Sequence, residues 1–120
     1  MRKQLLFLII CCISTLSMNV SAQCSNDITP PTIICNNTGT LTKIISNLKS
    51  AYIVDSKILI PTATDNCCAP KLSFKLSGAT KATGTNLMGY SFNTAITSVL
   101  WTATDKNGNK NYSTFKIQVI

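Results

Sequence analysis

Three stretches of this chain alternate strictly between apolar and polar residues, and this pattern limits the possible folds more than any other feature of the sequence. A period of two places successive side chains on opposite faces of a β-strand, so each stretch predicts a half-buried strand. In residues 71–77, Lys and Ser separate the apolar positions, and residues 99–103 and 115–119 repeat the alternation. The apolar positions are Leu72, Phe74, Leu76, Val99, Trp101, Ala103, Phe115, Ile117 and Val119.

A turn separates the last two of these stretches. Residues 105–109 read Asp-Lys-Asn-Gly-Asn. The Asn107-Gly108 pair tolerates the positive φ angles that tight turns require. The last thirty residues therefore predict a β-hairpin, with Trp101 in the core.

Shorter segments add further strands. Residues 32–35 are rich in β-branched residues, and residues 56–60 end at Pro61, which suits the terminus of a strand. Residues 41–52 space their apolar side chains at intervals of three and four, as a helix does, but they also contain three β-branched residues. That segment has two alternatives, a short helix or two irregular strands. Regularly spaced strands without a long helix predict a single all-β domain, a β-sandwich.

The N-terminus has the organisation of a cleavable secretion signal, residues 1–22. Arg2 and Lys3 precede an uncharged apolar run at 5–13, and small residues lead to Ala22. The run is about half of the roughly 20 residues that a membrane-spanning helix needs. We therefore expect cleavage after Ala22, no membrane span afterwards, and a secreted, extracellular or periplasmic protein.

Export determines how the cysteines are interpreted. Cys24, Cys35, Cys67 and Cys68 remain after cleavage, and in an oxidising compartment such cysteines are typical of disulfide bonds. A bond between the adjacent Cys67 and Cys68 would be strained. We expect each to pair with Cys24 or Cys35, and the connectivity stays open.

The charge that remains after cleavage argues against nucleic-acid binding. The formal net charge falls from +7 to +5, because Arg2 and Lys3 are lost. The remaining cations are all lysines, which are scattered along the chain, and no arginine is left for bidentate phosphate recognition. We interpret the lysines as a solubilising surface.

The residue types that most enzymes use are missing. The chain has no histidine and no glutamate, which removes the usual general bases and the usual nucleophile–base pairs. We therefore expect a protein that is not an enzyme and has no organic cofactor.

The aspartates allow two interpretations. Asp65 and Asp105 both follow Ala-Thr, and we favour the interpretation that each carboxylate caps its own turn. The alternative is a calcium site with oxygen ligands from Asp65, Asp105, Asn107 and Asn109. The loop has neither the glycine placement nor the final glutamate of an EF-hand.

Three segments together resemble a hyalin repeat (HYR) domain. Residues 27–35 read Asp-Ile-Thr-Pro-Pro-Thr-Ile-Ile-Cys, residues 61–67 contain Ala-Thr-Asp-Asn-Cys, and residues 92–115 follow the closing hairpin of the family. The resemblance covers residues 27–120, so residues 23–26 form a short lead. The departures from the family pattern are Asn36 in place of proline, Ala95 in place of glycine, Ser113 in place of cysteine, and the additional Cys68.

The resemblance implies a fold and a function. It implies an immunoglobulin-like β-sandwich that serves as a non-enzymatic binding or cell-adhesion module and recognises a glycan or a protein at the cell surface. A structural subunit that self-associates or docks onto a larger extracellular assembly is the alternative. The resemblance also implies a disulfide bond from Cys35 to Cys67 or Cys68, with the remaining cysteine bonded to Cys24.

Overall fold

The computed structural model describes residues 24–120, and the predicted signal lies outside this part of the chain. Nine strands and one short 3-10 helix follow one another, so the all-β prediction is confirmed. No helix within residues 24–120 is long and apolar enough to cross a membrane. The strands are β1 (Thr32–Ile34), β2 (Thr40–Lys43), β3 (Ala51–Ile53), β4 (Thr62–Thr64), β5 (Lys71–Gly78), β6 (Ala82–Gly84), β7 (Ser91–Asn93), β8 (Ala95–Thr104) and β9 (Lys110–Val119), and the 3-10 helix is Lys57–Leu59.

The strands form one large sheet and two small ones. The large sheet has the order β2-β9-β8-β5-β6, and the small sheets are β1-β4 and β3-β7. All neighbouring strands are antiparallel except β2, which runs parallel to β9. The predicted hairpin is therefore confirmed as β8 and β9, with residues 105–109 between them.

The core lies against the inward face of the large sheet. The alternating positions of β5, β8 and β9 are buried as predicted, except that Leu72 is half-buried. Trp101 has no exposed surface, and its ring meets Phe74 edge-on at 5.4 Å between centroids. Phe92 from the small sheet β3-β7 and Leu59 from the 3-10 helix join the same buried cluster. Apolar burial of about 25 cal/mol per Å² at these positions is the main force that joins the sheets.

The prediction of a strand at residues 56–60 is wrong. The Ser56 side chain accepts a hydrogen bond from the Ile58 backbone N–H at 3.3 Å and caps the 3-10 helix instead. The buried indole N–H of Trp101 donates to the Leu59 carbonyl at 3.1 Å, which fixes this turn onto the core. A contact over forty-two residues thus overrides the local preference for an extended chain.

Of the two alternatives for residues 41–52, the structure contains the pair of irregular strands, β2 and the start of β3. β2 completes the edge of β9 through the parallel ladder. The backbone of Ile120 continues this pairing, because its N–H donates to Lys43 and its carbonyl accepts from Ile45, both at 2.9 Å. Backbone pairing with the last strand outweighs the helical spacing of the apolar side chains.

Ala95 begins β8 in a strained conformation. Its φ is +88°, and no other non-glycine residue among residues 24–120 has a positive φ. A Cβ atom in left-handed backbone costs roughly 1–2 kcal/mol. The hyalin-repeat pattern has glycine at this position, which fits the conformation.

We predict that Ala95→Gly raises the free energy of unfolding by about 1 kcal/mol, because the strain relieved exceeds the entropy that glycine adds to the unfolded chain. Urea denaturation followed by circular dichroism measures the change. Ala82→Gly in β6 is the control, because Ala82 has no positive φ and glycine there should destabilise by about 0.5–1 kcal/mol. Equal losses in both variants would contradict the assignment of strain to Ala95.

Candidate metal centre

Three aspartates from distant parts of the sequence meet at one end of the fold. Asp27 precedes β1, Asp65 directly follows β4 and Asp105 directly follows β8. Because β1 and β4 are antiparallel, the start of β1 lies beside the end of β4. One carboxylate oxygen from each residue lies within 4.8 Å of the other two. We call these three residues the aspartate cluster.

Asp105 caps the β8–β9 turn, as the sequence predicts. Its Oδ1 accepts hydrogen bonds from the backbone N–H groups of Asn107 and Asn109 at 2.9 and 2.8 Å. Its Oδ2 accepts from the Asn109 side-chain amide at 2.7 Å. Backbone bonds between Asp105 and residues 108 and 109 close the turn. These hydrogen bonds hold the buried Asp105 carboxylate in one orientation.

Asp27 and Asp65 cap their own segments in a similar way. Asp27 Oδ1 accepts from the Thr29 backbone N–H at 2.9 Å and from the Asn66 amide at 3.1 Å. Asp65 Oδ2 accepts from the Cys67 backbone N–H at 3.4 Å. Each of these two carboxylates therefore uses one oxygen to cap its own turn. The second oxygen is not used by the cap, so it can take part in the aspartate cluster.

Those second oxygens have no partner. Asp27 Oδ2 and Asp65 Oδ1 are buried from solvent without a hydrogen bond, and only 9% of the Asp27 surface is exposed. A buried polar atom without a partner is destabilising by about 1–3 kcal/mol, and more if it is charged. Two such oxygens in a cluster of three acids would be stabilised by a cation bound between them.

The local hydrogen bonds keep Asp27 ionised. The Thr29 backbone N–H lowers the pKa of Asp27, the Asn66 amide acts in the same direction, and burial opposes them. Side-chain hydrogen bonds with Thr29 and Asp105 also lower the pKa. The negative charge of Asp27 is therefore favoured by its hydrogen bonds.

Asn107 and Asn109 hold Asp27 in place. Both side-chain amides donate to the Asp27 backbone carbonyl, at 3.2 and 3.0 Å. Both residues were candidate calcium ligands from the sequence, but in this arrangement their amide N–H groups fasten the segment before β1 to the hairpin turn. Of the predicted calcium ligands, Asp65 and Asp105 do lie close together in the structure.

Sequence reasoning missed Asp27 as a member of the site. Its convergence with Asp65 depends on the pairing of β1 with β4, which no local pattern reveals. One sequence feature could have identified it. Each of the three segments that resemble a hyalin repeat contains one of the three aspartates, and Asp27 is the first residue of the first segment. The fourth aspartate, Asp55, stays apart and accepts a hydrogen bond from the Tyr52 hydroxyl at 3.2 Å.

The geometry of the aspartate cluster fits a hard cation. Ca²⁺ binds oxygen ligands at about 2.3–2.6 Å, so two ligands on opposite sides of one ion lie about 5 Å apart. The separation of up to 4.8 Å between the aspartate oxygens is within this limit. Thiolate and imidazole sites for zinc need other ligands, and the chain has no histidine.

The cysteines form no disulfide bond within residues 24–120, but two of them lie close together. All four are free in the structure, and Cys24 Sγ is 3.9 Å from Cys68 Sγ. A hydrogen bond with Cys67 and burial raise the pKa of the Cys24 thiol. Cys24 therefore lies close to the thiols of both Cys67 and Cys68. Cys35 directly follows β1 and is not part of this group.

The pairings of Cys35 that the resemblance implied stay predictions. In antiparallel pairing the end of β1 lies beside the start of β4, whereas Cys67 and Cys68 come after the end of β4.

Comparisons with known proteins give no relative for this chain. No family model, curated protein or solved structure matches it. Function is therefore inferred from the aspartate cluster, the strand topology and the motifs of the sequence.

We predict that Asn109→Ala lowers the free energy of unfolding by about 1–3 kcal/mol, because it removes the amide donor of both Asp27 and Asp105. Urea denaturation in the presence of a chelator measures this loss. Asn47→Ala is the matched control, since Asn47 lies exposed in an irregular connection and should change stability by less than about 0.5 kcal/mol. A similar small effect of both variants would show that the amide of Asn109 does not fasten the turn.

Proposed function

We propose that this protein is a secreted, non-enzymatic binding domain with an immunoglobulin-like fold, stabilised by one Ca²⁺ ion at the aspartate cluster. The observation that carries the proposal is the pair of buried oxygens without partners, Asp27 Oδ2 and Asp65 Oδ1, beside a third buried carboxylate. The ion would join the segments that precede β1, follow β4 and follow β8.

Charge supports the presence of a cation. Three carboxylates this close repel one another, and their repulsion is strong where burial lowers the effective dielectric constant. One divalent cation compensates most of this charge. It also gives the two unpartnered oxygens a positive ion to bind. Calcium is favoured over magnesium because it accepts irregular sets of six to eight oxygens, with water completing the set.

The strand topology supports the immunoglobulin-like fold. Such domains pack two sheets over a core of alternating inward side chains. Here the large sheet and the small sheet β3-β7 contribute Trp101 and Phe92 to one buried cluster, and Ile33 from the small sheet β1-β4 packs against it. The three segments that resemble a hyalin repeat each bring one aspartate to the cluster.

A binding role follows from the resemblance and from the residues available for chemistry. The chain has no histidine or glutamate, and each carboxylate of the aspartate cluster caps its own turn. A rigid β-domain with loops ordered by calcium is suited to present a surface to a glycan or a protein outside the cell.

One observation favours the alternative, a structural subunit that self-associates or docks onto a larger assembly. Apolar side chains lie exposed around the connection between β2 and β3, with 84% of Ile44 and 98% of Leu48 accessible. Ile53 at the end of β3 is also exposed, at 61%. Exposed apolar residues in a group are a feature of interaction surfaces.

We predict that calcium at 100 times its dissociation constant raises the melting temperature by about 10–20 °C. An ion present at 100 times its dissociation constant adds about 2.7 kcal/mol to the free energy of unfolding. For a domain of this size, each 1 kcal/mol corresponds to about 4–8 °C. Calorimetry with 1 mM Ca²⁺ and with a chelator gives the comparison, and identical melting curves would refute the calcium site.

Asp65→Asn tests the residue assignment. Removal of one charge relieves repulsion, so the variant should be at least as stable as the wild type in chelator and should lose the response to calcium. Asp55→Asn makes the same change of charge outside the aspartate cluster and should keep the full response. A calcium response that survives Asp65→Asn and disappears in Asp55→Asn would place the ion elsewhere.

Light scattering separates the two roles. A binding module should remain a monomer at micromolar concentration and retain a cell-surface glycan or protein in a pull-down. A structural subunit should form oligomers, which Leu48→Ser should dissociate if the exposed apolar side chains form the contact. Lys49→Ser, on the same connection, is the control for a change that leaves the apolar surface intact.

A further inference from the structure

A group of thiols lies next to the aspartate cluster. Cys24 is only 8% exposed and its Sγ is 3.9 Å from the Sγ of Cys68, which is itself exposed. Cys24 precedes Asp27 by three residues, and Cys68 follows Asp65 by three residues. The two thiols therefore belong to the same two segments that supply the unpartnered carboxylate oxygens.

Hydrogen bonds connect the segment before β1 to the Asp65 loop and to the β8–β9 hairpin. The Asn66 amide donates to Asp27 at 3.1 Å. The amides of Asn107 and Asn109 donate to the carbonyl of the same residue. A disulfide bond between Cys24 and Cys68 would add a covalent link between the two segments.

We propose that Cys24 and Cys68 form a disulfide bond that latches the segment carrying Asp27 onto the loop carrying Asp65. The bond also strengthens calcium binding at the aspartate cluster, and this part rests on the proposed function. The two sulfur atoms must approach from 3.9 Å to about 2.05 Å. Cys68 is exposed and can turn toward Cys24 without disturbing the core.

The oxidation is a thiol–disulfide exchange. The oxidant is a small-molecule or protein disulfide, such as oxidised glutathione. One thiolate attacks a sulfur of the oxidant and expels one thiol, and the second thiolate then attacks the mixed disulfide and expels the other. The two cysteines lose two protons and two electrons in total, and the oxidant gains them as two thiols.

The effect on calcium follows from preorganisation. Ion binding restricts the motion of the segment of Asp27 relative to the loop of Asp65, and this loss of entropy reduces the affinity. A link that restricts the segment beforehand removes part of that entropy loss. We expect the disulfide to lower the dissociation constant for calcium by about tenfold.

Peptide mapping tests the bond. The full chain, expressed for export, is alkylated without reduction, digested and analysed by mass spectrometry. Cys24 should be linked to the peptide of residues 67 and 68, with Cys35 alkylated. Because no protease separates Cys67 from Cys68, the variants Cys67→Ser and Cys68→Ser identify the partner.

The two variants have opposite expectations. The bond should persist in Cys67→Ser and be absent from Cys68→Ser, which changes an exposed residue and should fold. A bond that survives in Cys68→Ser, or is lost in Cys67→Ser, would overturn the assignment. Complete alkylation of Cys24 in the wild type after incubation with oxidised glutathione would overturn the bond itself.

Calorimetric titration with calcium tests the coupling. The oxidised wild type should bind about tenfold more tightly than the protein reduced with dithiothreitol, and Cys68→Ser should bind weakly under both conditions. Equal affinities of the oxidised and reduced protein would refute the latch and leave the calcium site intact. No calcium binding in either form would refute the proposed function, whereas the mapped bond would stand.

Discussion

Trp101 forms the contact on which both the core and its surroundings depend. Its indole ring has no exposed surface, and its N–H donates to the Leu59 carbonyl at 3.1 Å. This bond keeps a buried polar atom paired and fixes the 3-10 helix that leads into β4. Trp101 also lies on β8, which pairs with β5 on one side and β9 on the other. One side chain thus connects the centre of the large sheet to the chain that leads to the small sheet β1-β4.

The same strand that carries this core residue also carries the site. Asp105 comes four residues after Trp101, directly beyond the end of β8, and is 6% exposed. The rigid hairpin therefore holds one carboxylate of the aspartate cluster in place. The ladder of β1 with β4 brings Asp27 and Asp65 together. The packing that places these carboxylates leaves two oxygens without partners, which is the property that makes a cation useful.

Local patterns predict the parts of this fold that local interactions determine. The alternation in β5, β8 and β9 and the Asn-Gly turn were sufficient for the hairpin, because side-chain periodicity and turn conformation act over a few residues. Residues 56–60 could not be predicted in this way, since the distant bond from Trp101 determines their conformation. Asp27 was missed for a related reason, because its neighbours in space come from residues about 40 and 80 positions away. The sequence identified the capping role of Asp105 but not the convergence of the cluster.

The pattern of cysteines indicates where this chain needs a constraint. The resemblance to hyalin repeats implies a cysteine at the position of Ser113, which pairs with Trp101 in the β8–β9 ladder. That ladder is long and regular, so a disulfide there would reinforce strands that ten backbone pairs already hold. The segment before β1 has no ladder and must keep Asp27 beside two other carboxylates against their repulsion. A bond between Cys24 and Cys68 together with a calcium ion would hold this segment against the repulsion between the carboxylates.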